Sequence, residues 1–413
     1  VNSIKLSICI PTYNRAPHLR SCLERIKAFT FGFPYEIVIS DNASTDNTAE
    51  VAREFAAHMP INYFVRAENN GAVINVNAAF RRARGEYAVY LADDDRLVLE
   101  GLLNAIKFLD THPSVLVCHA PWYLYDGVLE VDTGKFYEVE EDVIFPRHSF
   151  GEVFNFMYRG HIFPEIAVFR TDALRATWVP RDICFYAFPM LAHLLDKGDV
   201  AFLKEPFYKQ VGRSEHGRDR RQGGHDIAMS GWDQYRGGLE YFLYFGTKRG
   251  QIRAQDDDKL TQEHMCRTFT MVRMTVALRL LVGFREFVKA YEVYTRLIFG
   301  GFDTHPEVTK VRDGLGLAAA LETLAWQVNA AAEIDNLIIS GFLDAEIIKE
   351  RIAKVNFPER VAIINEPAEH SPEFANRAAV LVFLPEQRQR FVDLGYPPNM
   401  VFAQEDLIQT ILI

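Results

Sequence analysis

Tyr87-Ala88-Val89-Tyr90-Leu91-Ala92-Asp93-Asp94-Asp95 is an apolar, β-rich run that leads directly into three acids. Its length and its β-branched and aromatic content read as a buried strand, and the acids mark the carboxyl end of that strand. Carboxylates packed together at the end of a core strand raise one another's pKa and are costly to bury unless a cation offsets them. A hard divalent ion, Mg2+ or Mn2+, held by one or two carboxylates together with phosphate oxygens, suits that spacing. The chain also carries a second triplet, Asp256-Asp257-Asp258, which follows the polar stretch Gln251 to Gln255 and opens a helix. Acids there simply suit the helix macrodipole. The first triplet therefore reads as functional and the second as surface charge.

Upstream of the triplet, short β-rich runs alternate with amphipathic stretches. Strands are expected at Leu6 to Ile10, Glu36 to Ser40, Asn62 to Val65, Tyr87 to Leu91 and Val115 to Cys118. Leu19, Cys22, Leu23 and Ile26 recur at helical spacing between the first two, and Ser44 or Thr45 can cap a helix carrying Val51 and Phe55. Alternation of this kind builds a mostly parallel sheet covered by helices. Open sheets of that class bind ligands at the carboxyl ends of their strands. Pro11, Thr12, Tyr13 and Arg15 follow the first strand, Asp41 the second, and Arg66 and Asn70 the third. Each is an ordinary turn residue when taken alone. Their placement along one sheet edge with Asp93, Asp94 and Asp95 points instead to a nucleotide and metal platform.

The remaining chain divides by pattern into further regions. Residues 1–238 hold the α/β alternation and a mixed, aromatic segment, and residues 212–238, rich in Gly, Arg and His, read as a loop. Residues 239–328 are helical, with apolar positions from Phe269 to Ile298 at three-or-four spacing and a break near Gly283. Residues 329–413 return to α/β, with strands expected at Leu337 to Ser340, Val361 to Ile364, Val380 to Leu384 and Met400 to Phe402. That small Rossmann-like unit lacks a Gly-x-Gly-x-x-Gly turn, which argues against a dinucleotide site. The formal net charge of -10 argues against nucleic-acid binding. Five scattered cysteines suggest neither a disulfide framework nor a zinc ribbon, and their thiols point to the cytoplasm. No apolar run approaches the roughly 20 residues of a spanning helix.

Ser7-Ile8-Cys9-Ile10-Pro11-Thr12-Tyr13-Asn14-Arg15, then Ile39-Ser40-Asp41-Asn42-Ala43-Ser44-Thr45-Asp46, then Asn70-Gly71, Ala83-Arg84-Gly85-Glu86-Tyr87 and the Asp93 triplet occur in an order and spacing that resemble family 2 glycosyltransferases of the GT-A fold. The second block is particularly similar to the abequosyltransferase-type branch, which decorates bacterial surface polysaccharides. The resemblance covers roughly the first half of the chain. It implies a nucleotide-diphospho-sugar donor contacted by Thr12, Tyr13, Asp41 and Arg66, and an Asp-x-Asp motif with Asp95 as principal metal ligand and Asp93 facing the ribose or the ion. It also implies inverting transfer to a glycan or lipid-linked glycan, with peripheral contact at the inner face of a membrane and homo-oligomers as further expectations.

An inverting enzyme needs a general base for the acceptor hydroxyl. The family's Glu-Asp pair, counted back from Gly198, falls on Tyr186 to Pro189, which are not acids. Asp182 is the nearest acid upstream and the first candidate, with Glu165 next. His216 and His225 follow Tyr208, where relatives place a histidine that completes the metal site or meets the diphosphate. Arg213 and Arg218 flank His216 and would make that loop a cationic lid. Two rivals stand beside this reading. One is a catalytically silent sugar-nucleotide or glycan-binding module, which the missing Glu-Asp pair favours. The other is a nucleotidyltransferase, which should carry a Gly-rich, Arg-bearing loop that Pro11 to Arg15 does not supply.

Overall fold

The computed structural model describes residues 3–177, 183–214, 216, 229–253 and 255–411. The chain folds into two compact units, Val1–Thr270 and Met271–Ile413. The region read from sequence as helical is thus shared between them, and the helix Asp256–Gly283 runs through the division.

In the first unit, β1 (Leu6–Thr12), α1 (Ala16–Lys27), β2 (Tyr35–Asp41), α2 (Thr48–Ala56), β3 (Ile61–Val65), α3 (Ala72–Arg82) and β4 (Tyr87–Tyr90) follow the expected alternation. Next come β5 (Arg96–Leu97), α4 (Leu99–Thr111), β6 (Val115–His119), β7 (Tyr123–Asp126), β8 (Val131–Lys135), β9 (Val143–Phe145) and α5 (Phe150–Gly160). The series closes with β10 (Ala167–Arg170), α6 (Thr171–Thr177), α7 (Ala187–Leu195), β11 (Asp199–Phe202), β12 (Tyr208–Arg213) and the helix Trp232–Lys248. Eight strands form one sheet in the order β3-β2-β1-β4-β10-β6-β11-β9. The half from β3 to β4 is wholly parallel, while β10 enters antiparallel to both β4 and β6. Beyond β4 the sheet is mixed, as large α/β sheets commonly are.

Burial explains why these segments form. Leu6, Ile8, Cys9 and Ile10 are fully or almost fully buried, as expected for a strand covered on both faces. On α1 the buried set is Ala16, Leu19, Cys22, Leu23 and Ile26, one face of a helix opened by Pro17 in its first turn. A second sheet, β5-β12-β7-β8, carries the strand on which the last acid of the triplet is anchored. Residues 212–238 are not loop throughout. β12 extends to Arg213 and a helix begins at Trp232, whose buried Trp232, Tyr235, Gly238 and Leu239 give it an apolar face.

The second unit holds the helices Phe287–Phe299 and Leu315–Ala330 and a four-stranded sheet: β13 (Asn336–Ser340), β14 (Ala362–Asn365), β15 (Ala378–Val382) and β16 (Val401–Ala403). Their order is β14-β13-β15-β16, all parallel. The helical break near Gly283 falls where the spacing places it. Among the described residues no helix is long and apolar enough to cross a membrane.

Candidate active site

Two loops at the carboxyl edge of the parallel half are bolted together before any ligand enters. β1 and β2 end in register at Thr12 and Asp41, and the Asn42 N–H donates to the Thr12 carbonyl at 2.9 Å. Asn14, at φ +50°, accepts from the Thr45 N–H at 2.7 Å, and its own N–H donates to Ser44 Oγ at 2.9 Å. Asp46 accepts from the Ala16 N–H at the start of α1 and from both the N–H and the hydroxyl of Thr48 at the start of α2. The N-cap position of α2 is Asn47, without a side-chain bond, and Asp46 just before it takes the Thr48 N–H, whereas the Ser44 and Thr45 side chains expected to cap face Asn14 in the β1 loop. Burial alone would raise the Asp46 pKa, yet the Thr48 hydroxyl and these N–H donors hold it below the ordinary carboxylate value.

Asn75 on α3 ties the strand ends themselves. It is buried, accepts from Ser40 Oγ at 2.6 Å and donates to the carbonyls of Thr12 and Ser40 at 3.2 and 3.0 Å. Sequence reading passes over it, although a polar residue one turn before Ala79 on an apolar helix face is an available signal. Asp41 is buried, and its oxygens accept from the Ser44 N–H and the Tyr63 hydroxyl. Arg66 donates its backbone N–H to the Asp41 carbonyl and its Nη2 to Asn70. Arg66 Nη1 and Asn42 Oδ1 are buried, with no hydrogen-bond partner among the described residues. A donor and an acceptor left without partners beside Asp41 fit a polar ligand such as a nucleobase or ribose. Tyr13 is 42% exposed, open to stack on a ring.

Not every motif of the set lies at this edge. In Ala83-Arg84-Gly85-Glu86-Tyr87, the Arg84 guanidinium donates to buried Glu36 at 2.7 and 3.0 Å, and Glu36 accepts the Ser7 hydroxyl. The Gly85 N–H donates to Ser7 Oγ, and a Cβ at Gly85 would stand 2.7 Å from the Ser7 nitrogen. That motif locks the opposite end of β1, β2 and β4, so its role is to hold the sheet.

The triplet is buried: Asp93, Asp94 and Asp95 are 3%, 6% and 7% exposed. Thr12 Oγ1 donates to Asp93 at 2.7 Å, and Arg15 Nη1 donates to Asp93 and Asp94 at 3.1 and 2.5 Å. Asp95 faces β12, accepting from the Tyr208 hydroxyl and the Val211 N–H, each at 2.8 Å. Burial, helped by the charges of Asp93 and Glu165, pushes its pKa up to about 7 against those hydrogen bonds. A carboxylate so disfavoured as an anion is relieved by a nearby cation. Among the described residues no three His, Cys, Asp or Glu side chains converge as a complete ligand set. The donors fit a Mg2+ or Mn2+ ion taking one or two carboxylates here and its remaining oxygens from a diphosphate.

Of the two candidate bases, Asp182 lies outside the described residues. Glu165, between α5 and β10, is half-buried, and the Tyr186 hydroxyl donates to it at 3.4 Å. Its charge helps raise the pKa of Asp95 and of the Tyr90 and Tyr137 hydroxyls. His216 is exposed, with Nε2 2.7 Å from Ser21 Oγ and its ring 5.3 Å from that of His18. His18, Ser21, Arg25, Arg96 and His216 line one small cleft with Asp94. His225 and Arg218 lie outside the described residues. Asp256, Asp257 and Asp258 sit in the first turn of a helix, on the surface.

An open α/β sheet whose parallel half ends in polar loops and a buried carboxylate triplet is a frame for a phosphate-bearing ligand and a divalent ion. Residues 7–178 match the family model described as glycosyl transferase family 2. An uncharacterized protein of Mycobacterium tuberculosis is 34% identical over 119 residues, covering 28% of this chain and 34% of that protein. The abequosyltransferase RfbV of Salmonella typhimurium is 35% identical over 116 residues, covering 27% of this chain and 35% of RfbV. The chain therefore spans about a third of the length of the curated relatives it matches. The S. aureus TarS structure in complex with UDP-GlcNAc aligns at a TM-score of 0.46 and 17% identity, over 77% of this chain and 85% of that one.

Proposed function

We propose that this chain transfers a hexosyl or deoxyhexosyl group from a nucleotide-diphospho-sugar to a hydroxyl of a glycan or lipid-linked glycan, with inversion at the anomeric carbon. The observation that carries the reading is a meeting at one sheet edge. Arg66 Nη1 and Asn42 Oδ1, without partners among the described residues, stand there with the buried triplet of Asp93, Asp94 and Asp95. The family match of residues 7–178 supports it, as does the abequosyltransferase among the relatives.

In this scheme Arg66, Asn42, Thr12 and Tyr13 hold the nucleotide, with Asp41 beside them accepting the Arg66 N–H on its carbonyl. Asp93 and Asp95 hold a divalent ion, which when bound neutralises charge growing on the diphosphate leaving group. Arg15 keeps Asp93 and Asp94 oriented, and His216 lends an N–H toward the same region. Glu165 takes the proton of the acceptor hydroxyl as that oxygen attacks the anomeric carbon and the bond to the diphosphate oxygen breaks. Asp182 is the alternative base. A lipid-linked acceptor would bring the protein to the inner face of a membrane.

The test is release of nucleoside diphosphate from a panel of UDP-, GDP-, dTDP- and CDP-sugars, followed by chromatography with and without Mn2+. Metal-dependent release from one donor class supports the reading. No release from any donor with Mn2+ or Mg2+ overturns it in favour of a silent glycan-binding module.

A further inference from the structure

The small cleft of His18, Ser21, Arg25, Asp94, Arg96 and His216 is built almost wholly from hydrogen-bond donors. Three elements make its walls. His18, Ser21 and Arg25 stand at three-and-four spacing on one face of α1 and span roughly 10 Å along its axis. Arg96 opens β5, directly after the triplet, and His216 lies just beyond β12. Of the triplet only Asp94 lines the cleft, and Arg15 already donates to one of its oxygens. The void measures about 250 Å³ and opens to solvent. Arg66, Asn42, Thr12 and Tyr13, which hold the nucleotide in the proposed scheme, do not line it.

Arg96 decides what the cleft takes. It is half-buried, and its partner carries no charge: Nη1 donates to the Tyr125 hydroxyl at 2.8 Å, and the guanidinium lies 4.2 Å from the centre of the Tyr125 ring. Its Nε is buried, with no hydrogen-bond partner among the described residues. A guanidinium N–H taken out of water without an acceptor is costly, so this group is set for an acceptor from outside the chain. The neighbouring side chains narrow its chemistry. Arg25 adds a second permanent cation, and the Ser21 hydroxyl and the imidazole of His216, 2.7 Å apart, are able to donate as well. Against the two guanidinium groups of the lining stands one carboxylate, which Arg15 offsets. That balance favours an anion. Donors on three walls suit the tetrahedral oxygens of a phosphate better than a planar carboxylate.

We propose that this cleft binds a phosphate group distinct from the donor's diphosphate, with Arg96 and Arg25 as its cationic partners and Ser21 and His216 as further donors. The assignment to a substrate rests on the transferase reading. There the donor diphosphate sits on the ion at Asp93 and Asp95, and the phosphate in the cleft belongs to the acceptor. The acceptor class is then a glycan or lipid that carries a phosphate monoester or diester.

Thermal shift and hydrogen–deuterium exchange on the full chain test this, with inorganic phosphate and glycerol phosphate as probes against sodium chloride at matched ionic strength. Both probes should raise the melting temperature and slow exchange at residues 18–25, 94–97 and 209–214. Phosphate also stabilises folded proteins without a site, so the variants carry the comparison. Arg96→Gln, in which the amide still reaches for Tyr125, and Arg25→Gln should each weaken glycerol phosphate binding by about tenfold or more. With Mg2+ present, UDP, GDP, dTDP and CDP should leave that affinity within about twofold. Displacement by any of these nucleotides would assign the cleft to the donor and overturn the proposal. Unchanged affinity in both variants, or no protection around the cleft in the unaltered protein, would overturn it too. Exchange in the unaltered protein decides the matter even where a variant fails to fold. The readout is binding without turnover, so its failure is distinct from failure of the donor-release test.

Discussion

Asp95 shows how one residue can serve both the fold and the proposed chemistry. Its two oxygens tie the end of β4 to Tyr208 and Val211 on β12. An asparagine can accept the Val211 N–H and donate to the Tyr208 oxygen, so Asp95→Asn should fold with a melting temperature near that of the unaltered protein. Metal-dependent release of nucleoside diphosphate should fall to background. Asp95→Ala strands the buried Val211 N–H and should lose about 1–3 kcal/mol of stability in urea titrations as well. Unimpaired turnover in Asp95→Asn would remove this residue from the ion site. Glu165→Gln should cut kcat by about 10²–10⁴-fold while donor KM changes little, as expected for loss of a general base. If Asp182→Asn shows that pattern and Glu165→Gln does not, the base is Asp182.

Between elements, side chains that cross from loop to loop give the site edge its rigidity. Asp46 bridges the starts of α1 and α2, and its pKa is held down in the folded chain. A carboxyl with a lowered folded pKa contributes stability that is complete above the unfolded value and fades as pH falls through the folded one. The melting temperature should therefore drop on acidification below about pH 4, and drop less in Asp46→Asn, whose stability at neutral pH should already be lower. Differential scanning fluorimetry across that range checks the sign. Gly85→Ala tests the opposite edge. A methyl placed 2.7 Å from the Ser7 backbone nitrogen must displace β1 or β4, at a cost of about 1–3 kcal/mol in urea unfolding. Because that edge is remote from the triplet, KM for the donor should stay unchanged in the folded fraction.

The full chain divides into a first unit that carries the carboxylate triplet and a second α/β unit with its own cores. Leu337, Ile339, Ala379 and Leu381 lie in one apolar cluster and Ile338, Val380 and Val382 in another, and both clusters are built from residues of the second unit. Each unit thus holds the burial needed for a cooperative transition of its own. Urea unfolding followed by tryptophan fluorescence and circular dichroism should resolve two steps. Val380→Ala, which empties a fully buried position in the second unit, should move one step to lower urea and leave the other in place. A single shared transition would show that the units unfold together.

Local pattern makes the first half of this fold legible. Every strand from β1 to β4, the helices between them and the triplet at the end of β4 can be read from the sequence, because burial on a strand or on one helix face repeats every two or three to four residues. The break near Gly283 and the four strands of the second unit are legible for the same reason. Other features depend on residues that pair across long separations. Asp95 meets Tyr208 across 113 residues, and Ser21 meets His216 across 195. The antiparallel entry of β10 and the role of Asn75 as a latch follow from packing of that kind. No periodicity encodes them, since a carboxylate's partners and pKa are set by whatever the folded chain brings beside it. That three acids stand at the end of a buried strand is written in nine consecutive residues, Tyr87 to Asp95. That the last of them is pinned to β12 is written in no local stretch, because the pairing exists only once the second sheet has closed against the first.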